Sequence, residues 1–225
     1  MSITENIHNV MATLPSGVKL VGVSKFHPDS AILEAYQAGQ RMFGESRVQE
    51  LIQKHAALPK DIAWHFIGHL QSNKIKTVLP LVSLIQSVDS VHLIEEMEHE
   101  AAKQNRHVDC LLQVHIAKEP TKYGFTFDEI HRFFQSNLFS SLKQLHIVGL
   151  MGMATYTEDV EMIRSEFRAL KTLFDELKTG YFQHADDFHT LSMGMTNDYL
   201  IAIDEGSTMV RIGTAVFGLR PCALV

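Results

Sequence analysis

Val18-Lys19-Leu20-Val21-Gly22-Val23-Ser24-Lys25 runs directly into Phe26-His27-Pro28-Asp29, and this stretch decides the fold. Its first part is apolar and rich in β-branched residues, the pattern of a buried strand. Pro28-Asp29 opens a helix over residues 29–38, with apolar residues three and four apart and Gly39 at the C-terminal cap position. The turn between them contains no glycine. A doubly wound dinucleotide-binding sheet wants a glycine-rich turn after its first strand, so the open-sheet alternative loses its main support here.

The cadence repeats outward from this unit. Strands are predicted at 18–25, 41–44, 63–68, 84–88, 107–116, 145–153, 190–193 and 208–216. Helical patterns lie between them at 46–58, 72–79, 90–104, 127–134, 158–177 and 198–205, and a leading helix over 2–13 closes at Pro15-Ser16-Gly17. Strands that alternate with helices imply parallel pairing with crossover helices. Eight such strands in 225 residues predict an α/β chain folded as one (β/α)8 TIM barrel, a single domain over 1–225 with an extra N-terminal helix.

Composition narrows the setting. Apolar residues make up 45% and charged residues 20%, enough to bury a sizeable core. A formal charge of −6 argues against nucleic acid and gives no electrostatic reason to sit on anionic lipid. The two cysteines, Cys110 and Cys222, are far apart and lack metal-ligand spacing, which fits a reducing compartment. The N-terminal segment has no signal-peptide pattern, and no apolar run is long enough to span a bilayer. A cytoplasmic protein is expected.

In a barrel of this kind, function sits where strands end. Those positions hold Lys25, Glu45, Ser46, His69, Ser87, Asp89, His115, Met153, Ser192 and the Arg211–Thr214 run. Lys25 fits either a lysine whose head reaches solvent or a partly desolvated amine able to form an imine. The segments 191–195 and 206–214 combine glycines, hydroxyls and the start of a short helix, a natural cradle for a phosphate dianion. The same glycines equally suit a tight barrel closure. Alternation turns Met209, Arg211 and Gly213 to one side, and an interior arginine needs a partner, either a carboxylate or a ligand ring nitrogen. Glu45 and Asp89 are weighed as paired carboxylates or as loop-orienting groups. His65 and His69 lack a third metal-ligating partner and the glutamate of a zincin, so no metal site is expected.

At six places the residues resemble the pyridoxal-phosphate homeostasis protein family: 21–25 (VGVSK), 43–46 (FGES), 64–71 (WHFIGHLQ), 149–151 (GLM), 191–195 (LSMGM) and 206–214 (GSTMVRIGT). The resemblance runs over nearly the whole chain. It implies the barrel of the alanine racemase N-terminal domain carrying pyridoxal 5′-phosphate (PLP), with Lys25 forming the internal aldimine. By the same resemblance Ser192, Gly213 and Thr214 bind phosphate, Arg211 faces the pyridine nitrogen, and Met193 and Gly194 line the phosphate loop. Ser46 falls at a further cofactor-binding position, where many relatives carry asparagine, and Arg47 stands where tyrosine is common.

Alanine racemase, which the barrel resembles, draws a second base from a separate C-terminal domain. The chain ends about eleven residues past Thr214, which leaves no room for one, and Met153 replaces the histidine under the ring. A monomeric cofactor holder that serves PLP homeostasis, with PLP-dependent apoenzymes as recipients and without robust amino-acid turnover, is therefore expected. The rival is a low-activity PLP-dependent racemase or lyase.

Overall fold

The computed structural model describes residues 2–119, 123–184 and 186–219. Eight strands form it: β1 (Lys19–Val23), β2 (Met42–Glu45), β3 (Ala63–Phe66), β4 (Leu84–Val88), β5 (Val108–Val114), β6 (Leu145–Gly152), β7 (Thr190–Ser192) and β8 (Met209–Ile212). They pair in sequence order, every neighbour parallel, and β1 closes on β8 through Lys19–Met209 to Gly22–Ile212. This is the predicted closed barrel.

The helices on its outside are α1 (Ile3–Thr13), α2 (Asp29–Gln37), α3 (Val48–Ala57), α4 (Ile75–Val78), α5 (Val91–Lys103), α6 (Phe127–Phe134), α7 (Asn137–Ser141), α8 (Val160–Tyr181), α9 (Tyr199–Asp204) and α10 (Thr214–Phe217). The leading helix α1 begins with a reciprocal cap between Ser2 and Glu5 and buries Ile7 and Val10. Its Asn6 amide donates to the Val216 carbonyl at 3.0 Å, which ties the first helix to the last. No helix among the described residues is long and apolar enough to cross a membrane.

Two apolar layers result from the period-two alternation of the strands. A large outer cluster, including Leu20, Phe43, Trp64, Ile85, Leu112 and Leu150, packs barrel against helices. A smaller inner cluster of Val21, Leu84, Leu111, Val148, Met151 and Met209 fills the barrel itself. Buried Cys110 lies in the outer layer, and burial pushes its thiol up to about 12. Cys222 lies outside the described residues.

Several predicted bounds shift. Lys25 does not close β1; the strand ends at Val23, and Lys25 lies in the turn that follows. The last predicted strand stops at Ile212, because Gly213 has left the extended region (φ −105°, ψ −75°) and the apolar residues after it form α10. Short apolar runs do not distinguish strand from helix, which is why 208–216 reads as continuous. The helix predicted at 72–79 breaks into two 3-10 turns around α4, the second containing Pro80. Helix α7, capped by the Ser136 hydroxyl, is too short to leave a periodic signal.

One glycine is demanded by the barrel wall. Between β5 and β6 the register shifts opposite Ile147 and Gly149, and a Cβ at Gly149 would lie 1.7 Å from the Thr190 carbonyl oxygen. Replacing Gly149 with alanine is expected to destabilise the fold by about 4 kcal/mol or more, read from the denaturant midpoint of the purified variant.

Candidate functional site

The turn that carries Lys25 is held from outside the barrel. The His27 N–H donates to the Ser24 carbonyl at 3.1 Å, closing a four-residue turn around Lys25 and Phe26. Phe26 adopts φ +68°, a left-handed conformation that costs an L-residue about 1–2 kcal/mol. Its N–H donates to Glu50 Oε2 at 2.8 Å, and the Arg47 guanidinium lies 4.4 Å above its ring. The His27 ring stacks on Phe217 at 5.0 Å.

Lys54 of α3 completes the brace. Its Nζ donates to the Ser24 carbonyl at 2.8 Å, to Glu45 Oε1 at 2.7 Å and to Glu50 Oε2 at 3.1 Å. The Ser24 hydroxyl also donates to Glu45 Oε1, at 2.6 Å. Glu45 and Lys54 are both buried, and burial pushes the Glu45 carboxyl above its ordinary range despite the Lys54 charge beside it. Glu45 Oε2 has no hydrogen-bond partner among the described residues. Residues on both sides of half-buried Lys25 are therefore fixed by β2 and α3.

A second polar system crosses the inside of the barrel. Arg211 is 4% exposed; its Nη1 donates to Ser192 Oγ at 2.6 Å and its Nη2 to the Gly152 carbonyl at 2.9 Å. The Ser192 hydroxyl donates in turn to Gln86 Oε1 at 2.7 Å. Gln86 Nε2 meets His65 Nδ1 at 2.8 Å and Met209 Sδ at 3.3 Å. Burial lowers Arg211 to about 10 and His65 to about 4, so near neutral pH the first is charged and the second is not. Arg211 thus meets a hydroxyl and a backbone carbonyl inside the barrel.

The two C-terminal segments lie side by side at the rim, where the Arg211 N–H donates to the Gly194 carbonyl at 3.0 Å. Gly194 has φ +95°, and a Cβ there would come within 2.7 Å of Ala202 Cβ, so only glycine lets this loop reach α9. At Gly213 a Cβ would meet nothing closer than 3.4 Å, an ordinary contact with Val23. Thr214 is exposed as the first residue of α10. Met193 is buried in the outer core, and its N–H donates to the Met209 carbonyl at 3.1 Å. Ser46 follows β2, its backbone so close to Gly68 that a Cβ there would lie 2.3 Å from the Ser46 carbonyl oxygen.

All eight sequence-predicted site residues thus fall on or just after four consecutive strands, β7, β8, β1 and β2. Glu45 and Asp89 do not form a pair of carboxylates. Glu45 faces Ser24 and Lys54, whereas Asp89 Oδ2 lies 2.8 Å from His69 Nδ1, and the His69 ring stacks on Tyr123.

The family model for the alanine racemase N-terminal domain matches residues 1–221. A pyridoxal phosphate homeostasis protein of Aquifex aeolicus is 41% identical over 203 residues, covering 90% of this chain and 87% of that protein. The chain belongs to the pyridoxal phosphate homeostasis protein family. A member from Vibrio alginolyticus is 38% identical over 234 residues, covering 97% of this chain and 98% of its own length. Among solved structures, PipY of Synechococcus elongatus with PLP bound superposes with a TM-score of 0.87 at 38% identity, covering 96% of this chain and all of that one. Alanine racemase from Clostridium difficile shares the fold alone, with a TM-score of 0.75 at 14% identity, and this chain spans 57% of it.

Gln86, Lys54 and Glu50 escape the sequence reading. Lys54 had a legible signal, because it sits three residues after buried Leu51, on the apolar face of α3. Gln86 had one as well, as an amide in the middle of the wholly buried run of β4. Lys54→Met removes the counter-charge of buried Glu45 and the donor to Ser24. It is expected to lower stability by about 3 kcal/mol, measured by denaturant unfolding.

Proposed function

We propose that this chain holds PLP as a Schiff base on the ε-amine of Lys25 and serves intracellular PLP homeostasis as a carrier, without robust amino-acid turnover. The observation that carries the reading is the buried guanidinium of Arg211, held by Ser192 of β7 and Gly152 of β6, on the strand that pairs with the one leading into Lys25. A buried cation there suits an electron-rich ring nitrogen. When bound, the cofactor supplies an aldehyde that one amine captures and another releases.

The chain's own residues fit that group. Gly213 and Thr214 follow Arg211 where the chain leaves β8 for α10, Gly194 accepts from the Arg211 N–H, and this corner takes the phosphate. Ser192 stands beneath it, Met193 packs the loop into the core, and Ser46 contributes from the β2 loop. Arg211, with a pKa of about 10, hydrogen-bonds to a ring nitrogen without giving up its proton near pH 7, which keeps the electron sink weak. Lys25 would hold the aldehyde as an imine, and exchange with a lysine amine of a recipient apoenzyme would hand the cofactor over and return Lys25 as its free ε-amine. The carrier works as a monomer in the cytoplasm.

The test is the visible spectrum of the protein with PLP, then borohydride reduction and peptide mapping. A yellow protein whose reduced adduct maps to Lys25, and an adduct that disappears in Lys25→Ala, are expected. An adduct scattered over surface lysines would overturn the reading, and amino-acid turnover well above that of free PLP would favour a racemase or lyase. Gly213→Ala provides a second check. Its Cβ has room in the protein itself, so the melting temperature should hold while PLP affinity falls about tenfold or more.

A further inference from the structure

The hydrogen bonds from Arg211 through Ser192 and Gln86 to His65 have a direction. Arg211 only donates, so Ser192 Oγ accepts from it and places its single proton on Gln86 Oε1. The Gln86 amide then presents its NH2 to two acceptors on its other side, His65 Nδ1 and Met209 Sδ. A flipped amide would set its carbonyl against that sulfur and its NH2 against a hydroxyl already accepting from Arg211. Burial keeps His65 neutral near pH 7, and of its two tautomers the Nε2–H form is the one whose Nδ1 accepts from the Gln86 NH2. Each member fixes the donor and acceptor sense of the next, and such a chain strengthens cooperatively in a low-dielectric interior.

The far end of the chain lies away from the rim. His65 lines a cavity of about 420 Å³ with Lys19, Asp109, His146 and Met209, these four each the first or second residue of its strand, at the N-terminal end of the barrel. Gln86 and Ser192 are fully buried between the two ends. A polar column therefore runs from the rim to the opposite end of the barrel.

We infer that His65 and Gln86 are positioning residues: through the Ser192 hydroxyl they set the orientation in which Arg211 presents its guanidinium to the bound ring. This inference rests on the proposed PLP reading. Arg211 is fixed at Nη2 by the Gly152 carbonyl and at Nη1 by Ser192, so a hydroxyl that turns away lets the fork swing about its remaining contact. The column also commits the Ser192 proton to Gln86, so Ser192 acts on Arg211 rather than as a hydroxyl donor to phosphate. The phosphate is then left to the backbone of the neighbouring loops and to Thr214.

The experiment compares wild type, Gln86→Leu, His65→Leu and His65→Gln, with Arg211→Met as the reference for the direction of the spectral shift. The readouts are the absorbance maximum of bound PLP, its dissociation constant, and the 15N NMR signals of labelled histidine in the PLP-free protein. The NMR spectrum should show His65 as the Nε2–H tautomer; an Nδ1–H tautomer overturns the column whatever PLP does. Gln86→Leu and His65→Leu should still form the borohydride adduct at Lys25. Both should shift the absorbance in the direction given by Arg211→Met and weaken PLP binding about five- to tenfold, the size of one lost buried hydrogen bond. His65→Gln keeps an acceptor for Gln86 and should restore both values.

Wild-type spectra and affinity in both leucine variants refute the inference. A His65→Leu defect that His65→Gln fails to restore refutes it too, since that result belongs to packing. If Gln86→Leu does not fold, the pair of His65 variants decides alone. Absence of a Lys25 adduct in wild type fails the PLP reading itself, and the tautomer measurement still judges the column.

Discussion

Everything at the rim depends on the ladder between β1 and β8. Four residue pairs, Lys19–Met209 to Gly22–Ile212, join opposite ends of the chain. They bring the turn of Lys25 beside Arg211 and Gly213, which no local interaction could do. The price in chain entropy is that of closing a loop of nearly the whole protein, and it is offset by the two apolar layers on either side of the wall. Once the ladder forms, the alternation of β8 sends Arg211 inward by necessity. A buried guanidinium then requires acceptors, and the polar column of Ser192, Gln86 and His65 supplies one end of that requirement.

Much of this architecture was legible in the sequence, for physical reasons that differ by element. Long amphipathic stretches such as α5 and α8 announce themselves by periodicity, and buried parallel strands such as β4 by unbroken apolar runs. The missing glycine after β1 was equally informative. The structure makes the Lys25 turn without one by forcing Phe26 to positive φ and holding it with Glu50 and Arg47. Bounds were less legible, because a strand ends where its ladder partner ends rather than where its own residues change. Gly213 to Phe217 shows this, since their apolar character continues past the last bond of β8.

The site divides in the same way. Lys25 and Arg211 stand out because a charge at the end of an apolar strand, or inside one, is rare enough to demand a reason. Gln86, Lys54 and Glu50 stay hidden because their meaning lies in partners far along the chain. Nothing in the run Leu-Ile-Gln-Ser-Val says that Gln86 will face Ser192 across the barrel. Likewise, nothing in α3 says that Lys54 will take the carbonyl of Ser24. Such contacts become visible only when strand order and register are known.

The bond from Asn6 to the Val216 carbonyl has a consequence for the order of synthesis. Helix α1 docks on α10, so α1 and β1 are made long before the residues of β8 and α10 that cover them. During that interval the unpaired edge of β1 and the buried face of α1 lack those partners, the condition in which an emerging chain is exposed to misassembly. The segment from Met209 to Phe217 acts as a clasp. It closes the wall through its ladder to β1 and seats α1 through the Val216 carbonyl.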